Sequence, residues 1–285
     1  MAASEFNIDA LMPAEMAAKA HATGIRKASM PLAIVFALSM LAGAFIAAGA
    51  FFSTTVAAGS AALPYGVARL LTGFAFCLGL IMVIVAGAEL FTGNNLIIMA
   101  WADKKVSTAK LLRNWLFVWT GNFIGAVLTA GLVFAGRQYT FGGGAVGAAA
   151  LSAANAKTGL DFLQAIALGI LCNALVCIAV WLCYSARSTT DKILSIIFPI
   201  TAFVAAGFEH SVANMYYIPM GLLIRNFAPA SFWTAIQHTP ADYPNLTFAN
   251  MFINNLIPVT IGNIIGGAVM VGLVYWFAYL RPRRL

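Results

Sequence analysis

Residues 205–214 read A-A-G-F-E-H-S-V-A-N, and this stretch decides the fold. It places Glu209 and His210 side by side inside an apolar segment that covers residues 193–224. Ionisable side chains at membrane depth are costly and usually face a protein interior or a water-filled path, so they indicate a functional site. A lone buried histidine is also commonly a hydrogen-bonded core residue. The repeat of this pattern elsewhere in the chain favours the functional interpretation.

Residues 86–94 read A-G-A-E-L-F-T-G-N and follow the same plan, A-G-x-E-x4-N. Glu89 takes the place of Glu209 in this second copy. Polar residues that prefer loops and helix caps predict a helix break and a short half-helix in both copies. Irregular backbone at that depth is tolerated only where protein encloses it or where it lines a cavity. A pore is therefore the leading hypothesis.

The composition is that of an integral membrane protein. Hydrophobic residues make up 62% of the chain and charged residues 9%, whereas a soluble domain carries about 25% charged residues. Apolar segments of this length predict transmembrane helices, because a helix needs about 20 residues to cross the hydrocarbon and barrel strands are shorter and alternate in polarity. The six segments are residues 31–58, 67–88, 115–136, 162–184, 193–224 and 252–280.

The formal net charge of +7 comes mainly from short connections beside the apolar segments. That distribution is typical of topology determinants and excludes a nucleic-acid-binding face. Twelve lysines and arginines on one side against four on the other predict that both termini are cytoplasmic. The first 30 residues lack the apolar core of a signal peptide, so we expect no cleaved leader.

We expect three parts along the chain. Residues 1–30 contain an amphipathic pattern that predicts a cytoplasmic helix on the membrane surface, either as an interfacial anchor or as a moving gate. Residues 31–280 form a single channel domain of six helices. Residues 281–285 form a short basic cytoplasmic tail.

The third and sixth segments also match each other. Residues 121–125 read G-N-F-I-G, and residues 262–266 read G-N-I-I-G. Three spans repeated after three spans must lie inverted in the bilayer, because three is odd. Inverted repeats with broken helices that meet near the midplane are typical of transport proteins.

Three stretches together resemble the formate/nitrite transporter family. They are V-A-G-A-E-L-F-T-G at 85–93, G-I-L-C-N-A-L-V-C-I-A at 169–179 and G-F-E-H-S-V-A-N at 207–214. Residues 217–221 and 255–267 resemble the formate channel more than the nitrite channel. The resemblance covers residues 11–280. It implies an aquaporin-like protomer in a homopentamer of the bacterial inner membrane, and a cytoplasmic formate-producing enzyme as a partner at the N-terminus.

The resemblance also implies roles for individual residues. His210 is expected to give formate a proton or a positive charge at the pore centre, with Thr92 facing it and Asn173 as a further polar contact. Asn263 is expected at the cytoplasmic mouth. Lys157 either attracts anions to the outer vestibule or is an ordinary interfacial lysine. The expected constrictions are Phe76 and Phe203 outside, Leu80 near the centre, and Leu90, Phe91 and Val176 inside.

The remaining residues leave alternatives open. Glu89 and Glu209 are expected to hold the broken helices by accepting amide hydrogen bonds, since a carboxylate in the path would repel an anion.

All four cysteines fall in apolar segments without a zinc spacing, so no metal, disulfide or cofactor is expected. An intramembrane enzyme would need a metal cluster or a nucleophile–base pair. A membrane scaffold would not require doubled polar breaks. A nitrite or general small-anion channel remains the alternative function. The sequence is compatible with both passive flux and proton symport.

Overall fold

A computed structural model describes residues 9–281, and residues 1–8 and 282–285 lie outside the described part. The start of the predicted N-terminal segment and all of the predicted tail except Arg281 therefore remain predictions. The described part is all-helical. Its helices are α1 Pro13–Ser29, α2 Leu32–Ala57, α3 Tyr65–Ala86, α4 Phe91–Asn94, α5 Ile98–Ala102, α6 Thr108–Ala135, α7 Ala145–Thr158, α8 Phe162–Ser185, α9 Thr189–Ala205, α10 Ser211–Phe227, α11 Ala230–Ile236 and α12 Phe248–Leu280.

Five of these helices, namely α2, α3, α6, α8 and α12, are long and apolar enough to cross a membrane on their own. The sixth crossing is divided between α9 and α10, which have 17 residues each. The prediction of an all-helical protein with six crossings is confirmed. Three spans begin at least four residues before their apolar segments, because polar residues continue the helix there, namely those that start with α6, α9 and α12. Ser107, for example, caps α6 by accepting a hydrogen bond from the Lys110 amide.

Both predicted helix breaks are present. Helix α3 ends at Ala86 and α9 ends at Ala205, and each is followed by a glycine in the left-handed region, Gly87 at φ 82° and Gly207 at φ 78°. Only glycine adopts this conformation without steric cost. A new helix follows each break. It begins at Phe91 in the first copy and at Ser211 in the second.

The inverted repeat is longer than the sequence motifs indicated, because α1 corresponds to α7. Lys27 in α1 lies five residues before α2, and Lys157 in α7 lies five residues before α8. The carbonyl oxygen of Lys27 accepts a hydrogen bond from Asn114 Nδ2 at 3.3 Å, and that of Lys157 accepts one from Asn255 Nδ2 at 2.9 Å. Each repeat therefore contains a short leading helix and three crossings.

Glycines of the two G-N-x-I-G motifs let the crossings of each repeat approach closely. A Cβ atom on Gly125 would lie 1.9 Å from the carbonyl oxygen of Met40 in α2. A Cβ atom on Gly266 would lie 2.1 Å from that of Ile170 in α8. Small residues at such contacts are what allows membrane helices to pack backbone against backbone. The motif that revealed the repeat is therefore also its packing contact.

The two ends of the crossings carry different charges, and we name them by the helices that lie there. The α1 face carries the start of α2, the α5–α6 turn and the end of α12. The α7 face carries the end of α2, the start of α8 and the α10–α12 connection. Lysines and arginines of the described residues on the α1 face are Lys19, Arg26, Lys27, Lys104, Lys105, Lys110, Arg113, Arg187, Lys192 and Arg281, and those on the α7 face are Arg69, Arg137, Lys157 and Arg225.

Candidate functional site

His210 is the residue immediately before α10, and its side chain is 2% exposed. Its Nδ1 atom accepts a hydrogen bond from the Ala213 backbone N–H at 3.0 Å, which caps the helix N-terminus. Nδ1 therefore carries no proton in this arrangement, and a neutral imidazole carries its proton on Nε2. An imidazolium would place a second N–H against the Ala213 amide. The local geometry thus favours the neutral ring with Nε2 as a donor.

Thr92 meets His210 from the other repeat. Its Oγ1 atom lies 2.9 Å from His210 Nε2, so with the tautomer above Nε2–H donates to the hydroxyl. Thr92 is fully buried in α4, and its carbonyl oxygen is held from α8 by Asn173 Nδ2 at 3.3 Å and Cys177 Sγ at 3.3 Å. The structure therefore brings His210, Thr92 and Asn173 together, and their predicted roles toward a permeant stay predictions.

Asn263 holds the second break and is fully buried. Its Oδ1 accepts from the Ser211 backbone N–H at 2.9 Å, and its Nδ2 donates to the carbonyl oxygens of Glu209 at 2.9 Å and Gly169 at 2.8 Å. All of these groups belong to the framework, so the structure places Asn263 at the second helix break, and its predicted role at the cytoplasmic mouth stays a prediction. Sequence reasoning placed it by resemblance, and its hydrogen bonds give it a structural role.

Asn122 makes the equivalent bonds in the first repeat. Its Oδ1 accepts from the Phe91 backbone N–H at 2.9 Å, and its Nδ2 donates to the carbonyl oxygens of Glu89 at 2.9 Å and Ser39 at 2.7 Å. The two asparagines thus satisfy backbone groups that the breaks leave without helical partners. They fix where each new helix starts, and with it the positions of Thr92 and His210.

Glu89 and Glu209 each form a buried cluster with a lysine and with asparagine side chains. Glu209 Oε1 pairs with Lys157 Nζ at 2.8 Å, and its Oε2 accepts from Asn214 Nδ2 at 2.6 Å and Asn255 Nδ2 at 3.1 Å. Carboxylates buried in this way need such charge and hydrogen-bond partners. The glutamates do accept amide hydrogen bonds, but from asparagine side chains and with a lysine as counter-ion.

The first repeat builds the matching cluster. Glu89 Oε1 pairs with Lys27 Nζ at 2.9 Å, and Glu89 Oε2 accepts from Asn94 Nδ2 at 2.7 Å. Lys27 Nζ additionally donates to Asn94 Oδ1 at 2.8 Å. Sequence reasoning missed Lys27 as part of the site. The available signal was its place five residues before α2, which matches that of Lys157 before α8.

Two cavities lie on opposite sides of the His210–Thr92 pair. The α7-side cavity has a volume of about 250 Å³ and reaches His210, Phe76 and Phe203. The α1-side cavity has a volume of about 40 Å³ and is lined by Leu80 and Leu90 together with Lys27 of α1. The arrangement is a path interrupted near the two helix breaks.

Four of the six predicted constriction residues line these cavities. Phe76 and Phe203 meet edge to face with ring centroids 5.7 Å apart, and Phe203 stacks on the His210 ring at 5.9 Å. Phe91 instead packs its ring against Trp115, and Val176 is buried in the helical core, so neither lines these two cavities. Aromatic and aliphatic side chains therefore flank the polar pair.

The four cysteines are buried as free thiols. Within residues 9–281, no group of three or more histidine, cysteine or acidic side chains could hold a metal ion.

The chain as a whole is similar to known proteins of one family. The family model described as formate/nitrite transporter matches residues 14–277. The chain is 45% identical over 273 residues to the formate channel FocA of Escherichia coli, covering 96% of each protein. It is 40% identical over 264 residues to the formate channel FocA of Haemophilus influenzae, covering 93% of each.

A solved structure described as a pentameric formate channel with formate bound has the same fold. It aligns with a TM-score of 0.84 at 46% sequence identity, covering 88% of this chain and 98% of the solved one. The family resemblance found in the three sequence stretches is confirmed by these matches. The chain belongs to the formate/nitrite transporter family.

Proposed function

We propose that this protein is a formate channel of a membrane, and that formate passes between the two cavities beside His210 and Thr92. The observation that carries the proposal is the hydrogen bond between these two side chains, one from each inverted repeat, at the point where the cavities approach each other. The similarity to proteins named formate channels supports the choice of substrate. A channel of this kind catalyses no reaction, so we do not assign an enzyme activity.

Hydrogen-bond donors are what a small carboxylate needs in an apolar passage. A bare anion would lose most of its hydration there at a large cost. With His210 Nε2–H donating to Thr92 Oγ1, the threonine hydroxyl proton is free to donate to a carboxylate oxygen. When formate displaces the threonine oxygen, Nε2–H becomes a second donor. The proposed role of His210 is thus hydrogen-bond donation by a neutral ring, and the transfer of a proton or a positive charge to formate stays a prediction.

The test is a comparison of anion fluxes in proteoliposomes. Formate, nitrite, acetate and hydrosulfide are each measured at two external pH values, with and without an imposed proton gradient. We expect formate to pass fastest and acetate to be slowed at the apolar constrictions. Equal rates for nitrite and formate would favour the general small-anion channel, and absence of formate flux would overturn the proposal. A dependence on the proton gradient would assign symport.

The remaining assignments form part of the same proposal. The α1 face is cytoplasmic in the bacterial inner membrane, because it carries most of the lysines and arginines. The predicted boundaries, with residues 1–30 as a cytoplasmic segment before the 31–280 channel domain, follow this orientation. The protein assembles as a homopentamer, which native mass spectrometry tests. A cytoplasmic formate-producing enzyme is the partner expected at the N-terminal segment, and co-purification with the full chain tests it.

A further inference from the structure

Arg69, in the first turns of α3, reaches across to the end of α9. Its Nε donates to the Ala205 carbonyl oxygen at 3.0 Å, and its Nη2 donates to that of Val204. The last carbonyls of a helix have no helical partner and carry partial negative charge, so a guanidinium is favourable there. Arg69 therefore fixes the end of α9 immediately before the break that leads to His210.

Arg69 also lines the α7-side cavity, together with Lys157 and Glu209. Lys157 is engaged by Glu209 through the 2.8 Å ion pair, so their charges compensate each other. Among the described residues Arg69 has no carboxylate partner: its Nε and Nη2 bond to backbone carbonyls, and its Nη1 makes no hydrogen bond. A guanidinium stays charged at any physiological pH. The uncompensated positive charge of this cavity is therefore that of Arg69.

The α1-side cavity has no equivalent charge. The repeat motif places Glu209 120 residues after Glu89, and the same shift takes Arg69 to Thr189, which is neutral. Lys27, the basic residue lining that smaller cavity, is paired with Glu89 at 2.9 Å. Arg69 thus has no basic counterpart in the second repeat, whereas a lysine–glutamate pair occurs in both repeats.

We propose that Arg69 is the anion-recruiting residue of the α7-side cavity, and that its uncompensated charge attracts the permeant carboxylate into this cavity before it reaches His210. This inference rests on the proposed anion-channel function. It assigns to Arg69 the attraction that the sequence analysis considered for Lys157. One unit charge at about 7 Å in a water-like medium changes the local concentration of a monovalent anion about threefold.

The experiment measures formate uptake into proteoliposomes in the concentration range where flux is proportional to formate. Arg69→Gln removes the charge but keeps amide hydrogens for the α9 carbonyls, and Arg69→Lys keeps the charge. Thr72→Glu places a carboxylate on the same cavity wall and leaves Arg69 in position. Arg137→Gln removes an exposed charge on the α7 face away from the cavity and serves as the matched control.

Uptake is compared at about 0.01 M and about 1 M ionic strength, where the screening length falls from about 30 Å to about 3 Å. We expect Arg69→Gln and Thr72→Glu to lower uptake about threefold at low salt and to match the wild type at high salt. Arg69→Lys and Arg137→Gln should behave as the wild type at both. Thr72→Glu leaves Arg69 bonded to the end of α9. This variant therefore tests the inference even if Arg69→Gln does not fold.

Two results would overturn the inference. A deficit of Arg69→Gln that persists at high salt would assign Arg69 only to holding α9, and an equal deficit in Arg137→Gln would assign the effect to surface charge in general. Failure of the wild type to pass formate would instead remove the proposed function. In that case the same variants are compared with nitrite, so the two failures are distinguished.

Discussion

His210 serves the helix and the passage with different ring atoms. Nδ1 caps α10 through the Ala213 amide, and Nε2 points at Thr92. The cap gives this polar residue a structural role even in the absence of a permeant. In the first repeat the same position is Leu90, which makes no side-chain cap. The two repeats share the same framework but differ at this position, where one has Leu90 and the other His210. The protein therefore has an imidazole at only one of the two breaks.

Substitution of His210 by asparagine separates these two roles. Asparagine is among the best N-cap residues but is too short to cap α10 and reach Thr92 together. We expect His210→Asn to keep wild-type thermal stability and to lose formate flux about tenfold or more. His210→Ala should lose flux and also about 1 kcal/mol of stability, because the cap is gone. Thermal unfolding in detergent and proteoliposome uptake measure the two effects, and wild-type flux in a folded His210→Asn channel would contradict the assignment.

At the scale of helices, the breaks depend on glycines that adopt left-handed backbone. A Cβ atom on Gly87 would have no other atom within 4 Å, so a substitution there tests backbone strain alone. We expect Gly87→Ala to lower stability by about 1–2 kcal/mol and Gly87→Asn to lower it less, because asparagine tolerates this region. Gly131→Ala in α6, which also meets no atom within 4 Å, is the control and should not destabilise. Equal unfolding midpoints for all three variants would show that the break does not need a glycine.

The helices and breaks could be predicted from the sequence because their signals are local. Glycine followed by glutamate inside an apolar segment occurs twice and marks both breaks. Helix α7 was missed, since 14 alanine-rich residues are too short for a span and carry no motif. The Lys27–Glu89 pair and the reach of Arg69 to α9 were missed for another reason. The first contact joins residues that are 62 positions apart in the chain, and the second joins residues that are about 135 positions apart. Only the packing of the helices brings these residues together.

At the scale of the whole molecule, the two faces differ in charge. Among the described residues, ten lysines and arginines lie on the α1 face and four on the α7 face. Basic connections are retained in the cytoplasm during insertion. This asymmetry predicts the orientation of a protein whose two halves otherwise repeat each other, and it predicts that the α7-side cavity opens to the outside.

Single introduced cysteines test that orientation, because the four native cysteines are buried. Ala241 lies exposed in the α10–α12 connection on the α7 face, and Lys105 lies exposed in the α5–α6 turn on the α1 face. We expect a membrane-impermeant maleimide to label Ala241→Cys in intact cells, and Lys105→Cys only after permeabilisation. The unsubstituted chain should stay unlabelled in both conditions. Labelling of Lys105→Cys in intact cells, with Ala241→Cys protected, would reverse the orientation, and the cavity with the uncompensated charge of Arg69 would then open to the cytoplasm.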